Sequence, residues 1–227
     1  MLDSVLRRAQ PPRAAGLRFP VSAVVFLIVL ASANRAGNTA AANVSDHDLQ
    51  AKLSYCETCH GQSGRGFHGY YPIPRLAGQQ PEYIQNQLQA FIEKRRTNNI
   101  MFNVAHVLSQ PMVEALAAKF EALNPPPIGG APKELRDAGK KIFGEGIPDK
   151  DVPPCASCHG ADAKGNGQFP RLAGQLHDYI FNKLTNFEKE RGQNPDKPDT
   201  SAIMQPIAHA LTEPQIKAVA AYLNYLE

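Results

Sequence analysis

Cys56-Glu57-Thr58-Cys59-His60-Gly61 and Cys155-Ala156-Ser157-Cys158-His159-Gly160 are the two stretches that decide how this chain is read. Each contains Cys-x-x-Cys-His, the attachment signature of a c-type haem. In that signature the two cysteines form thioethers to the haem vinyl groups, and the next histidine offers its imidazole to the iron. A gap of two residues sets both sulfurs on one turn of backbone, facing one porphyrin edge. The chain has four cysteines, and the two motifs use all of them. A zinc site would want its histidine elsewhere and a wider spread of ligands, and a redox dithiol has no need of a following histidine twice. The expectation is two covalently bound haem c groups, held by Cys56, Cys59, Cys155 and Cys158, with His60 and His159 as proximal iron ligands.

The similarity of the two halves continues past the cysteines. Pro74-Arg75-Leu76-Ala77-Gly78-Gln79 returns as Pro170-Arg171-Leu172-Ala173-Gly174-Gln175. Tyr83, Ile84, Leu88 and Phe91 return as Tyr179, Ile180, Leu184 and Phe187. Met101, Ala105, His106, Leu108 and Ser109 return as Met204, Ala208, His209, Leu211 and Thr212. Length differences fall in loops: extra residues around Gly69-Tyr70-Tyr71 in the first unit, and the polar stretch 193–199 in the second. Asn124-Pro125-Pro126-Pro127-Ile128-Gly129-Gly130-Ala131-Pro132 cannot continue a helix and reads as a connector. The expected organisation is a unit at 43–123, a linker at 124–132 and a second unit at 133–227.

Apolar spacing makes both units helical. Ser45 or Asp46 caps a helix through Leu49 and Leu53 that runs into the first haem motif. Residues 133–143 form its counterpart, with Leu135, Ala138, Ile142 and Phe143 on one face. Thr212-Glu213-Pro214-Gln215 matches a capping box for the last helix, and Val113, Leu116, Phe120 and Leu123 form the stripe of its partner in the first unit. No stretch alternates well enough for a sheet, so the fold class is all-α.

Residues 1–33 read as a cleaved export signal. Arg7, Arg8, Arg13 and Arg18 precede the apolar run 21–30, and Ala31-Ser32-Ala33 offers a small-x-small cleavage site. A second site at Ala40-Ala41-Ala42 leaves the mature start open between Asn34 and Asn43. The run is short for a membrane span. The chain carries 24 basic and 21 acidic residues, a net +3. Four arginines against Asp3 give the leader all of that +3, so the remainder is neutral. Such a balance argues against nucleic acid as a partner and against a polybasic membrane patch.

Repeat symmetry narrows the sixth iron ligand. Met101 and Met204 match, whereas Met112 faces Gln215 and reads as packing. His68 and His177 have no counterparts and read as loop histidines. His106 and His209 do repeat, and bis-histidine ligation through them would lower the potentials where methionine raises them. A methionine in a mid-loop strap across the distal face is the favoured arrangement, which leaves the role of His106 and His209 open.

With these residues in view, the chain resembles the cytochrome c4 family over roughly 45–227. That family consists of dihaem, two-domain class I cytochromes c. The resemblance implies two all-α domains related by pseudo-twofold symmetry, His/Met ligation of both irons, and electron transfer in the bacterial periplasm with peripheral membrane association. It implies a monomeric, non-enzymatic carrier, passing electrons from a quinol-oxidising complex to a terminal haem–copper oxidase. The alternatives are the cytochrome subunit of a periplasmic dehydrogenase, such as a sulfide-oxidising flavoprotein, and a dihaem peroxidase. By resemblance to class I cytochromes c, the carbonyls of Pro74 and Pro170 accept the N–H of the proximal histidines. Arg75 and Arg171 are expected to grip haem propionates. Tyr83 and Tyr179 either reach a propionate or pack in the core.

Overall fold

The computed structural model describes residues 44–192, 194–197 and 199–227. The expected leader, 1–33, and both candidate cleavage sites lie outside the described residues.

In the first half, α1 (Asp46–His60) starts where the Ser45 hydroxyl accepts the N–H of Asp48 at 3.1 Å. Asp46 and Asp48 in its first turn complement the helix dipole. It ends at the haem-motif histidine because Gly61 takes a φ of 76°, and a Cβ there would lie 2.4 Å from the Gly66 carbonyl oxygen. Three helices follow: α2 (Pro81–Ile92), α3 (Asn99–Ala105) and α4 (Gln110–Ala122). Leu49 and Leu53 of α1, Ile84 of α2, and Met112, Leu116, Ala117 and Phe120 of α4 form one buried cluster, with Cys56 packed against it. Met112 is thus a packing residue.

The second half repeats this plan with a broken first helix. A 3-10 turn, Lys133–Leu135, precedes α5 (Arg136–Glu145), and an irregular stretch separates α5 from the four-residue α6 (Ala156–His159). The continuous helix expected from 133 is therefore divided. Then come α7 (His177–Thr185), α8 (Phe187–Glu190), α9 (Ser201–Ala210) and α10 (Glu213–Asn224). The capping box forms as the sequence indicates, with the Thr212 N–H donating to Gln215 Oε1 at 2.9 Å. Helices α5 and α10 cross with backbones in contact at Gly139, where a Cβ would sit 2.0 Å from the Ala218 carbonyl oxygen. Phe143, Ile180, Val219, Ala220 and Leu223 make the second cluster, and Cys155 packs on it.

Among the described residues there are only isolated bridges and no strand, in keeping with the all-α expectation. No helix among them is long and apolar enough to cross a membrane. Residues 123–132 carry no helix, and the Pro125 carbonyl within them accepts a bond from Arg75 Nη2 at 2.8 Å.

One expectation about local structure is corrected. Met101 and Met204 do not lie in a mid-loop strap. Met101 belongs to α3, whose N-cap Asn98 accepts the Met101 N–H at 2.9 Å, and Met204 belongs to α9. The polar residues before each methionine lead into a helix rather than extend a loop, and apolar residues such as Ile100, Phe102, Ile203 and Ile207 then continue it.

Candidate haem sites and the interface between them

The four motif cysteines are not paired in a disulfide. Burial raises the Cys56 thiol to about 11 and also raises Cys155. His60 and His159 are both buried, at 8 % exposure, and burial pushes each imidazole towards its neutral form. The Nδ1–H of His60 donates to the Pro74 carbonyl at 2.9 Å, and that of His159 to the Pro170 carbonyl at 3.0 Å. A carbonyl can only accept, so the bond fixes the tautomer and leaves the Nε2 lone pair free to bind a metal.

Identical backbone contacts hold both sites. The Gly66 N–H donates to the His60 carbonyl at 2.7 Å, and the Gly165 N–H to the His159 carbonyl at 2.8 Å. The N–H groups of Leu76 and Ala77 share the Gly64 carbonyl, as those of Leu172 and Ala173 share the Ala163 carbonyl. The Gly78 N–H reaches the Phe120 carbonyl and the Gly174 N–H the Leu223 carbonyl, so each site is tied to its C-terminal helix.

The repeated Pro-Arg-Leu-Ala-Gly-Gln segments meet each other. The Arg75 N–H donates to Gln175 Oε1 at 2.8 Å, and Gln175 Nε2 donates back to the Arg75 carbonyl at 3.0 Å. The mirror pair is the Arg171 N–H to Gln79 Oε1 at 2.7 Å and Gln79 Nε2 to the Arg171 carbonyl at 3.0 Å. All four residues are buried. Each glutamine oxygen also accepts its next residue's N–H, Gln80 or Leu176, which helps hold the side chain in place. The Arg171 guanidinium lies on Gly78, 3.1–3.3 Å from where a Cβ would stand, so the glycine opens the space that the arginine fills. Sequence reasoning does not single out the glutamines, although their identical place in both repeats is the available signal.

Arg75 and Arg171 sit inside this interface rather than on a solvated surface. Each Nε donates to the alanine carbonyl two residues on, Ala77 or Ala173, at 3.1 Å. Nη1 of Arg75 and Nη2 of Arg171 are buried with no protein acceptor. Burial, then the neighbouring charges of Arg171 and Arg65, lowers Arg75 to about 10. Two buried guanidiniums with an orphaned N–H group each call for an anion. Free cysteines, neutral oriented imidazoles and unpartnered arginine donors are together the donor set that a covalently bound haem with its propionates requires, so these residues fit the group.

A second pair of crossed contacts flanks the first. Arg96 Nη2 of the first half donates to the Tyr179 hydroxyl at 2.9 Å, and Arg191 Nη2 of the second donates to the Tyr83 hydroxyl at 3.3 Å. The tyrosine hydroxyls are thus engaged by arginines of the opposite half. Direct superposition of the repeats sets Arg95, not Arg96, opposite Arg191, and that slip of one residue hides the pair. The polar stretch after Arg191 also crosses over: Asn194 Nδ2 bonds the Glu93 carbonyl at 2.9 Å, Lys197 pairs with Glu93 at 2.9 Å, and Asp199 pairs with Arg95.

Three further expectations can be placed. His106 and His209 are exposed: His106 Nδ1–H donates to the Phe102 carbonyl of its own helix at 3.1 Å, and His209 pairs with Glu188 at 3.3 Å. Met101 and Met204 are half-buried at matching places, each on the helix before the C-terminal one. His68 and His177 are not isolated loop histidines, because their rings lie 5.6 Å apart and His68 contacts Asp178 at 3.0 Å.

Glu93 yields a pH prediction. Hydrogen bonds from Lys197, then Arg95 and Gln89, lower its carboxyl from 4.5 to about 2. A carboxylate lowered in the fold stabilises above its unfolded value, and that contribution fades as pH falls through the folded value. Glu93→Gln is expected to lose about 1 kcal/mol at pH 7, allowing for solvent screening. The deficit should shrink between pH 4.5 and about 2 when urea midpoints are measured against pH. A deficit that stays constant through that window would count against the network.

Comparison with known proteins agrees with this geometry. The family model described as "Cytochrome c" matches residues 137–227. The chain is 39 % identical to cytochrome c-552 of Acidithiobacillus ferridurans over 88 % of its own length and 87 % of that protein. It is 39 % identical to cytochrome c4 of Thiocapsa roseopersicina, over 75 % and 86 % of the two chains. It is 34 % identical to a thiosulfate dehydrogenase electron acceptor of Stutzerimonas stutzeri, over 74 % and 76 %. Among solved structures, cytochrome c4 of Pseudomonas stutzeri superposes with a TM-score of 0.70 at 31 % identity, covering 81 % of this chain and 99 % of that one. The Acidithiobacillus ferrooxidans cytochrome c4 structure gives 0.64 at 38 % identity, covering 76 % and 99 %. The chain therefore belongs to the cytochrome c4 family, and it is a dihaem c-type cytochrome of two class I domains that carries electrons and is not an enzyme.

Proposed function

We propose that this cytochrome is exported by its N-terminal segment, 1–33, and works in the periplasm, at times against the membrane surface. It takes electrons from a quinol-oxidising complex and delivers them to a terminal haem–copper oxidase. The observation that carries the reading is the doubling itself: two equivalent histidine sites stand back to back across one hydrogen-bonded interface. Such an arrangement suits a relay that accepts at one end and donates at the other.

In this reading Cys56, Cys59, Cys155 and Cys158 hold the haems, and His60 and His159 bind the irons. Met101 and Met204, the matched methionines on α3 and α9, supply the sixth ligands. The haems provide a one-electron couple. The protein's residues keep it a carrier: the histidine–proline bonds hold each imidazole in one orientation. Thioether ligands would favour the reduced state and leave no open position for peroxide. Arg75 and Arg171, whose Nη1 and Nη2 respectively lack a protein acceptor, would hold propionates, which would neutralise two buried cations.

A second reading has its own support. Relatives from Stutzerimonas stutzeri and Thiomonas intermedia bear the name thiosulfate dehydrogenase electron acceptor. In that case a periplasmic dehydrogenase of reduced sulfur is the donor. Mixing the oxidised holoprotein with quinol-charged membrane vesicles, and separately with thiosulfate and a thiosulfate dehydrogenase, distinguishes the two. Fast reduction by the vesicles alone supports the first reading, and fast reduction by the dehydrogenase alone replaces it with the second.

The ligand assignment is tested by Met101→His and Met204→His. Each is expected to remove one haem's contribution to the methionine–iron charge-transfer absorption and to lower that haem's potential. Full retention of the band after either change would refute that methionine.

A further inference from the structure

The bond from each proximal histidine does not end at proline. Pro74 C=O and Arg75 N–H belong to one peptide group. On one side it accepts His60 Nδ1–H at 2.9 Å, and on the other it donates to Gln175 Oε1 at 2.8 Å. The peptide group of Pro170 and Arg171 likewise links His159 at 3.0 Å to Gln79 at 2.7 Å. Each glutamine comes from the opposite domain. We infer that Gln79 and Gln175 are cross-domain positioning residues: each tunes the proximal histidine, and hence the potential, of the haem in the other domain.

The physics is that of a polarised amide. A hydrogen bond accepted from its N–H draws electron density towards the carbonyl oxygen, and consecutive bonds strengthen one another in a dry site. A richer Pro74 oxygen pulls harder on His60 Nδ1–H. The imidazole becomes a stronger donor to its metal, which stabilises the oxidised state. Burial of all four residues removes the water that would otherwise replace the glutamine. Any movement of the domains that stretched one glutamine contact would then be felt at the other domain's iron. This inference rests on haem attachment at the two motifs and not on the choice of donor or acceptor.

The test is a spectroelectrochemical titration of the holoprotein, with each potential assigned to its haem by paramagnetic NMR. Gln175→Ala should raise the potential of the haem on Cys56 and Cys59 and move the His60 Nδ1–H resonance, leaving the other haem in place. Gln79→Ala should do the same to the haem on Cys155 and Cys158. Gln175→Glu, a stronger acceptor, should shift the first haem downwards. A general loosening of the interface would move both haems together and so overturn the inference. A shift confined to the glutamine's own domain, or none in a folded variant, overturns it equally.

A different cluster carries an independent proposal. His68, in the loop lengthened in the first domain, meets His177 and Asp178 at the start of α7 in the second. One ligand atom from each lies within 4.8 Å of the other two. His68 Nδ1 bonds Asp178 Oδ2 at 3.0 Å, while His68 Nε2 and His177 Nδ1 are buried without any partner. Two orphaned imidazole nitrogens beside a carboxylate are poorly satisfied by protein alone. We propose that this trio binds a first-row divalent transition-metal ion of the zinc class across the domain boundary. Imidazole and carboxylate suit such ions, and the ligand atoms need only close to about 3.4 Å of one another around a tetrahedral centre.

The probe is Zn²⁺ added to chelator-treated holoprotein, whose covalent haems remain in place. Calorimetry should show one tight equivalent that raises the unfolding temperature. His68→Ala and His177→Ala should each weaken it about tenfold or more, whereas His106→Ala and His209→Ala should not. His177→Gln supplies a folded alternative if alanine destabilises. No tight equivalent, or one indifferent to His68 and His177, rules the site out.

Discussion

A single peptide group in each domain carries most of the organisation of this molecule. The amide between Pro74 and Arg75 orients His60 with its oxygen and joins the other domain with its nitrogen. The amide between Pro170 and Arg171 does the same in reverse. Because one rigid planar unit serves both purposes, histidine orientation and domain docking cannot be set independently. The hydrophobic clusters support that unit, since each places a cysteine-bearing segment and a C-terminal helix around it.

The interface is built from arginine as much as from apolar contact. Arg75 and Arg171 are buried at its centre, and Arg96 and Arg191 cross it to the tyrosines. Cations so placed would repel one another in a bare protein. Arg75 Nη1 and Arg171 Nη2 lack a protein acceptor, so an anion bound there would offset their charge. The domain boundary therefore runs through the same Pro-Arg segments that orient His60 and His159.

Much of this is legible in the sequence, and the limits have physical reasons. The cysteines and the histidines that follow them can be read because local spacing dictates their chemistry, whereas the role of Pro74 and Pro170 is implied only by the family resemblance. The helices on Leu49 and Leu53, and on Val113 to Leu123, can be read from period alone. The arginines stand out as special, but their burial does not, because a charged residue's exposure depends on which surface meets it. Gln79 and Gln175 are visible as repeats, yet nothing local indicates that a side chain will bond a backbone in another domain. The helical setting of Met101 and Met204 is hidden because Asn98 and Thr200 resemble loop residues until a following turn gives them something to cap or precede. His68 and His177 look unrelated because each lacks an equivalent in the other repeat, and proximity across a domain boundary leaves no periodic trace.

The reciprocal exchange of Arg75 with Gln175 and of Arg171 with Gln79 is best tested by amide hydrogen exchange on the holoprotein. The Arg75 and Arg171 N–H groups should be among the slowest to exchange in the native protein. Gln175→Ala should speed Arg75 alone, and Gln79→Ala should speed Arg171 alone. Fast exchange at both amides in the native protein, or a substitution that exposes the amide of its own domain, would contradict the account.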